Sequence, residues 1–382
     1  MLIKTKHLLN ILLLVFCFPL AASETATSSI NLREGVTDIS HQVYDLHMTI
    51  FYICCVIGLV VFGVMIYSMI FHRKSRGAKA ANFHESLKVE IAWTVVPFVI
   101  LIGMAIPATK TLIAMEDADE SDLTIIVTGS QWKWHYEYQG HDIDFYSLLA
   151  TPEQQRSGQW IKGDTYLLDV DRPLILPINK KVRFLMTSDD VIHSWWVPDF
   201  AVKKDANPGF INEAWTKINE VGTYRGQCAE LCGKDHGFMP VVVEAVSEAD
   251  FENWLLSEKD KILQAKAEEQ KWLAMNMSKD ELMLEGQQVY TAYCAACHQA
   301  NGQGLPGAFP ALLGSPYVTG PVDKHIEIVL NGKSGTSMQA FAKQLSLKQI
   351  AAVVTYERNA WGQNSGDLIQ PKDVNQIVKS GL

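Results

Sequence analysis

The chain has 382 residues, more than one ordinary domain needs, so two or three units are expected. Its net charge of −9 argues against a nucleic-acid partner and allows an acidic surface that meets a basic protein. Hydrophobic residues make up 48% of the chain but crowd into its first third, so a nearly soluble average conceals a membrane-like portion.

Residues 1–23 read as a secretory signal: Lys4 and Lys6 precede a short apolar run, which ends at the small residues Ala21, Ala22 and Ser23. A lipoprotein signal acylated at Cys17 is the alternative, and bulky Phe16 before the cysteine disfavours it. Residues 24–115 follow as an N-terminal flank and a two-helix hairpin, with apolar spans at about 48–71 and 89–114. Each span is long enough to cross a hydrocarbon core of about 30 Å at 1.5 Å per residue. Arg73, Lys74, Arg76, Lys79 and Lys88 lie between the spans, which places that loop in the cytoplasm and the chain after the second span outside. Glu90, near the cytoplasmic end of the second span, is a carboxylate at a costly depth, or else a residue that snorkels to the interface.

Residues 116–246 change to short β-type runs. Segments 123–128, 132–138, 166–170, 182–187 and 241–246 are rich in β-branched or aromatic residues and are separated by Gly, Pro and Asp, which predicts a sandwich or barrel. Residues 247–277 turn rich in Glu, Lys, Leu and Ala and predict a helical connector. The last unit, 278–382, mixes helical patterns with Gly/Pro loops around a cysteine pair.

The seven cysteines sort by position: Cys17 in the leader, Cys54 and Cys55 in the first span, and two close pairs, Cys228/Cys232 and Cys294/Cys297. An oxidising compartment would favour disulfides, so each pair needs another chemistry weighed beside it. Cys228, Cys232, His236 and Met239 fall within a dozen residues, and His193 stands upstream in a strand-like stretch. Thiolates, imidazoles and a weak thioether form the ligand set of a copper electron-transfer site. Zinc accepts two Cys and two His but has no use for Met239, and a disulfide with incidental histidines is the remaining alternative.

The sequence Cys294-Ala-Ala-Cys297-His298 is the attachment signature of c-type haem, with His298 as proximal ligand. Downstream of it Met338 is the only methionine and His325 the only histidine. Met338 sits in a loop ahead of a helix-like run at 346–359 and is the expected distal ligand, with His325 as the alternative. Ligation by Met and His raises the potential, as a carrier needs.

The hairpin, the β-unit and the Cys228–Met239 motif together resemble subunit II of haem–copper oxidases, and the last unit resembles class I cytochrome c domains. The resemblance implies a multi-domain membrane protein: a two-helix transmembrane hairpin, an all-β cupredoxin-like domain and an all-α cytochrome c domain. It implies a dinuclear copper centre, CuA, held by His193, Cys228, Cys232, His236, Met239 and the backbone carbonyl of Glu230. It also implies that the Glu230 side chain reaches a magnesium ion shared with subunit I, a solvated loop carboxylate being the alternative. Trp132, in Gln131-Trp132-Lys133-Trp134, matches the residue through which electrons enter CuA, or else is a packed strand aromatic. Lys133 departs from the family's usual Tyr, and Met338 is followed by Gln where Pro is common. By the same resemblance Glu90 marks the mouth of a proton channel.

The expected function is therefore that of an oxidase subunit II in a bacterial inner membrane, with both soluble units on the periplasmic side. It would pass electrons from cytochrome c or another donor through covalent haem c and CuA to subunit I, where oxygen is reduced and protons are pumped. Subunit I, subunit III and membrane lipid are the expected partners, and no catalytic residue is expected in this chain. The rival readings are a CuA-bearing subunit of a nitric oxide reductase and a membrane-tethered carrier without an oxidase partner. A quinol oxidase subunit is disfavoured by the copper ligands present, and copper storage by the haem in series.

Overall fold

A computed structural model describes residues 31–79, 82, 84–333 and 336–381. The expected signal, with Cys17, lies outside the described residues.

Two long helices lead the chain, α1 (Asp38–Phe71) and α2 (Leu87–Glu116). Both are long and apolar enough to cross a membrane, and their most apolar stretches are unburied. Helix α1 starts ten residues before the expected span because a capping box sets its N-terminus: Ser40 N–H donates to Thr37 Oγ1 at 2.9 Å, and Thr37 N–H to Ser40 Oγ at 3.0 Å. Thr37 Oγ1 also donates to the Phe200 carbonyl at 3.2 Å, and Asn219 Nδ2 to Asp38 Oδ1 at 2.9 Å, which anchors this helix end on the β-domain. At the far end of α2 the Trp215 indole donates to the Ala114 carbonyl at 3.0 Å.

Among the described residues ten strands form two five-stranded sheets. They are β1 (Leu123–Ser130), β2 (Lys133–Tyr138), β3 (Ile143–Ser147), β4 (Leu174–Pro177), β5 (Val182–Ser188), β6 (His193–Val197), β7 (Val202–Ala206), β8 (Asn212–Thr216), β9 (Gly222–Cys228) and β10 (Pro240–Val246). One sheet runs β3-β2-β1-β5-β8 and the other β4-β10-β9-β6-β7. Strands β1 and β5 alternate buried with half-buried residues, the period of two that a one-sided core imposes. Ile125, Val127, Trp134, Tyr136, Phe184 and Met186 of one sheet share a core with Leu174, Leu176, Trp195, Val197, Val241 and Val243 of the other. The expected strand at 166–170 is absent: Leu167 has φ 62°, outside extended geometry, and Val170 makes only an isolated bridge to Leu149.

Helix α3 (Glu248–Ala274) fills most of the expected connector segment, capped by Ser247. It is docked at both ends. Phe251 is buried in the sandwich core and Arg172 pairs with Glu258 at 2.7 Å, while Glu269 Oε1 accepts the Leu347 N–H at 3.2 Å. The C-terminal region is helical, with α4 (Lys279–Val289), α5 (Val322–Asn331), α6 (Leu347–Asn359) and α7 (Pro371–Ser380). Helices α4 and α6 cross closely at Gly286, where a Cβ would stand 2.2 Å from the Ala352 carbonyl oxygen.

Candidate metal and haem centres

The end of β9, the start of β6 and the loop into β10 converge on one buried group. Cys228 Sγ and Cys232 Sγ lie 3.8 Å apart as free thiols, well beyond the bonded distance of about 2.05 Å. His193 Nδ1 is 3.9 Å from Cys228 Sγ and His236 Nδ1 is 3.5 Å from Cys232 Sγ, so each thiol faces one imidazole through the same ring atom. The Glu230 carbonyl oxygen is 3.3 Å from Cys228 Sγ, whereas the Glu230 side chain belongs to an exposed residue. Met239 is buried, and its carbonyl accepts the Cys228 N–H at 2.9 Å. The single hydrogen-bond ladder of β9 and β10 thus fixes the two ends of the ligand loop together.

Electrostatics at the group favour thiolate. The hydrogen bond from Cys232 holds Cys228 well below the usual thiol range, at about 3, against burial and with help from His193. The same hydrogen bond, with burial, pushes Cys232 up. Burial works to lower His193, but its contacts with Asp190 and Cys228 outweigh it and raise the imidazole. Asp190 Oδ1 lies 2.9 Å from His193 Nε2, which leaves Nδ1 aimed at the sulfur. That is the outer partner a metal-bound histidine needs. Gly129 makes room for this ring, since a Cβ there would stand 2.9 Å from His193 Cδ2. Sequence reasoning missed Asp190 and Gly129. The Asp190-Val-Ile-His193 spacing was a usable signal, but the packing of Gly129 across the sheet was not.

The donor set fits copper: two thiols that are not disulfide-linked, two imidazoles and a buried thioether residue supply sulfur and nitrogen beside a single carbonyl oxygen, unlike the all-oxygen set that suits magnesium or calcium. Trp132 is half-buried, and its indole donates to the Cys232 carbonyl at 3.2 Å.

The second centre is a cavity of about 620 Å³, within the roughly 300–1,000 Å³ usual for small-molecule and cofactor sites. Cys294, Cys297, His298 and Met338 line it, joined by Gln131 and Lys133 of the β-domain. A π-helical stretch, Tyr290–Cys294, precedes the short helix Ala295–His298 and re-aims the cysteine pair, a deformation frequent at functional sites. Cys294 and Cys297 are free, and burial pushes both thiols up, Cys294 strongly. His298 Nδ1 is 2.9 Å from the Pro310 carbonyl, so Nδ1–H donates and Nε2 stays open for a metal. Three buried polar atoms of lining residues lack a partner among the described residues: Gln131 Oε1, Gln339 Oε1 and His325 Nδ1. The cysteine pair, the oriented histidine and the apolar cavity fit a covalently held haem. His325 Nε2 meets Glu357 Oε2 at 2.8 Å, both side chains being buried, and Glu357 is a cavity residue that the sequence did not reveal.

Glu90 sits in the first turn of α2, half-buried, with its carbonyl accepting Thr94 Oγ1–H at 2.9 Å. It is brought together with none of the residues of the two centres.

Comparison with known proteins assigns both regions. Residues 123–246 match the family described as cytochrome c oxidase subunit II, periplasmic domain, and residues 25–111 its transmembrane domain. Residues 281–356 match cytochrome c oxidase, cbb3-type, subunit III. The chain is 41% identical over 243 residues to the "Probable cytochrome c oxidase subunit 2" of Rickettsia bellii, covering 63% of this chain and 87% of that protein. The chain belongs to the cytochrome c oxidase subunit II family. The cytochrome c oxidase subunit 2 of Cereibacter sphaeroides is 36% identical over 236 residues, 58% of this chain and 78% of that one. The solved periplasmic domain of cytochrome oxidase subunit II from Bradyrhizobium japonicum is 41% identical, covers 38% of this chain and 98% of its own, and superposes with a TM-score of 0.34. As a subunit II the protein is a component of a haem–copper oxidase complex. It is anchored in a membrane by its two apolar helices and carries a periplasmic domain of the copper-binding kind and a cytochrome c domain of the haem-binding kind.

Proposed function

We propose that this subunit II relays electrons from an upstream donor, through haem c and then CuA, to subunit I of its oxidase. The observation that carries the reading is that two buried, unlinked thiols with imidazoles aimed at them lie in the same folded body as a cavity lined by Cys294, Cys297, His298 and Met338. When bound, the copper pair and the haem iron each take up and release one electron.

The chain's own residues have distinct tasks. Cys228, Cys232, His193 and His236 would hold the copper pair, with Met239 and the Glu230 carbonyl completing the set. Asp190 fixes the His193 tautomer, and the sandwich core excludes water from the thiols. Cys294 and Cys297 would tether the haem, and His298, its Nδ1 anchored on Pro310, would hold the iron together with Met338. Trp132, bonded to the Cys232 carbonyl, would be the residue through which electrons enter the copper set. The Glu230 side chain, exposed on the ligand loop, would reach a magnesium ion shared with subunit I. Glu90, on the cytoplasmic side of α2, marks the mouth of a proton channel in the partner. The basic segment Arg73–Lys88 puts the hairpin loop in the cytoplasm of a bacterium and both soluble domains in the periplasm.

Detergent purification of the chain with its partners, followed by copper and haem analysis, tests the reading. Both metals and a large polytopic chain are expected, with turnover on oxygen. Turnover on nitric oxide alone would assign the chain to a nitric oxide reductase, and purification as a free monomer would make it a tethered carrier.

A further inference from the structure

One half-buried contact joins the two centres. Gln339 directly follows Met338, and its Nε2 donates to the Gln131 carbonyl at 2.8 Å, with Asp190 Oδ2 at 3.5 Å. Gln131 donates from its own Nε2 to the Cys232 carbonyl at 2.8 Å and from its backbone N–H to Asp190 Oδ2 at 2.8 Å. Asp190 Oδ1 holds His193 Nε2. From the residue beside Met338, two branches of hydrogen bonds therefore reach two members of the copper set: Cys232 through Gln131, and His193 through Asp190. The approach needs Gly233, whose φ is +115° and where a Cβ would stand 2.9 Å from Gln131 Nε2.

The face around this contact is closed by charge and rings. Lys133 is buried, and its ammonium lies 5.4 Å from the ring centre of Phe341 in the haem domain and 5.4 Å from that of Tyr146 in the β-domain. Lys234 Nζ donates to the Ala296 carbonyl, between the paired cysteines, at 3.3 Å. Gln131 and Lys133 line the haem cavity, whereas Trp132, in the turn between β1 and β2, does not. Lys133, the departure from the family's usual Tyr, is thus part of the seam with the fused domain.

We propose that Gln339 is a positioning residue that latches the Met338 loop onto the outer hydrogen bonds of the copper ligands, so that electrons cross within the chain through Gln131 and Asp190. The proposal rests on the relay reading above. Each crossing moves one electron: the donor group is oxidised by one, the acceptor group is reduced by one, no bond forms or breaks and no proton is taken up. Neutral amides carry the latch itself.

The test uses the full, metal-loaded and haem-loaded chain in detergent, with one electron injected at the haem by light and its arrival followed at the copper absorption. Gln339→Leu is expected to slow the transfer roughly tenfold or more, within the hundredfold that a misplacement of about 1 Å can cost. Hydrogen exchange at the Gln131 amide should also rise in Gln339→Leu while the copper EPR and haem spectra stay as in the wild type, which shows that the variant is folded and loaded. Gln131→Leu is the second variant, and it should slow transfer as Gln339→Leu does. A rate in Gln339→Leu equal to wild type overturns the proposal and leaves the relay intact. A wild-type chain that holds no copper overturns the relay reading and the proposal with it.

Discussion

Replacing Asp190 with Asn removes one charge and changes almost no volume, yet every neighbour of this carboxylate is a donor. Oδ1 accepts from the Val191 N–H at 2.6 Å and faces His193 Nε2 at 2.9 Å, and Oδ2 accepts from the Gln131 N–H at 2.8 Å. An ionised carboxylate is an acceptor on both oxygens, whereas Asn brings an NH₂ that must point at one of these N–H groups. Turned toward His193, the NH₂ forces Nε2 to accept and moves the ring proton to Nδ1, the atom aimed at Cys228. Turned the other way, it leaves the Gln131 N–H facing a donor. Loss of such an outer partner typically lowers metal affinity about 10- to 100-fold, which corresponds to roughly 1.4–2.7 kcal/mol. Copper affinity of Asp190→Asn, measured by chelator competition on the full chain in detergent, should fall by that factor while the haem spectrum is unchanged. Affinity within twofold of wild type would refute the argument that Asp190 sets the His193 tautomer.

Lys133 is pushed down to about 8 by burial, against the opposing charges of Asp190, Cys294, Cys297 and Asp189. In the haem-free chain its ammonium therefore costs roughly 3 kcal/mol at neutral pH. Between about pH 8 and 10.5 the unfolded chain keeps a proton that the folded chain has shed, so stability should rise through that window, and Lys133→Met should abolish the rise in denaturant titrations. Tyr138 is buried, and its hydroxyl donates to the Ile175 carbonyl at 2.8 Å and accepts the Ile175 N–H at 3.0 Å. Tyr138→Phe orphans both groups and should cost about 1–3 kcal/mol by the same titration. Met338→His should lower the haem potential in a redox titration while the copper spectrum stays intact, and an unmoved potential would show that Met338 is not the ligand.

Much of the architecture was readable because its signals are local. The hairpin rests on two long apolar runs, and both ligand clusters rest on spacings of one to four residues in Cys294–His298 and Cys228–Met239. Strands β1 and β5 also stood out, since they carry the alternation that a one-sided core imposes, whereas β9, as long as β5, did not. Strand β7, Val202–Ala206, did not: it carries Lys203, Lys204 and Asp205 at a sheet edge, where charge discourages further pairing and disguises the strand. The expected strand at 166–170 failed for the opposite reason: its aromatic and β-branched residues suit a strand, but Leu167 adopts a left-handed turn whose N–H is taken by Thr151 Oγ1 at 3.1 Å. The seam between the domains was beyond sequence reasoning altogether. Gln339 and Gln131 are 208 residues apart, and neither residue type carries a metal or haem signature of its own. Only folding shows that the unusual Lys133 and the Gln after Met338 meet at one face.

The central claim is a dinuclear copper cage built on Cys228 and Cys232 beside a tethered haem. EPR of the anaerobically purified, copper-supplied chain, taken with metal analysis on the same sample, addresses it most directly. The account predicts one unpaired electron shared by two coppers, alongside one haem per chain, and loss of the copper signal alone in Cys228→Ser. A copper-free chain whose Cys228 and Cys232 are joined as a disulfide would contradict it.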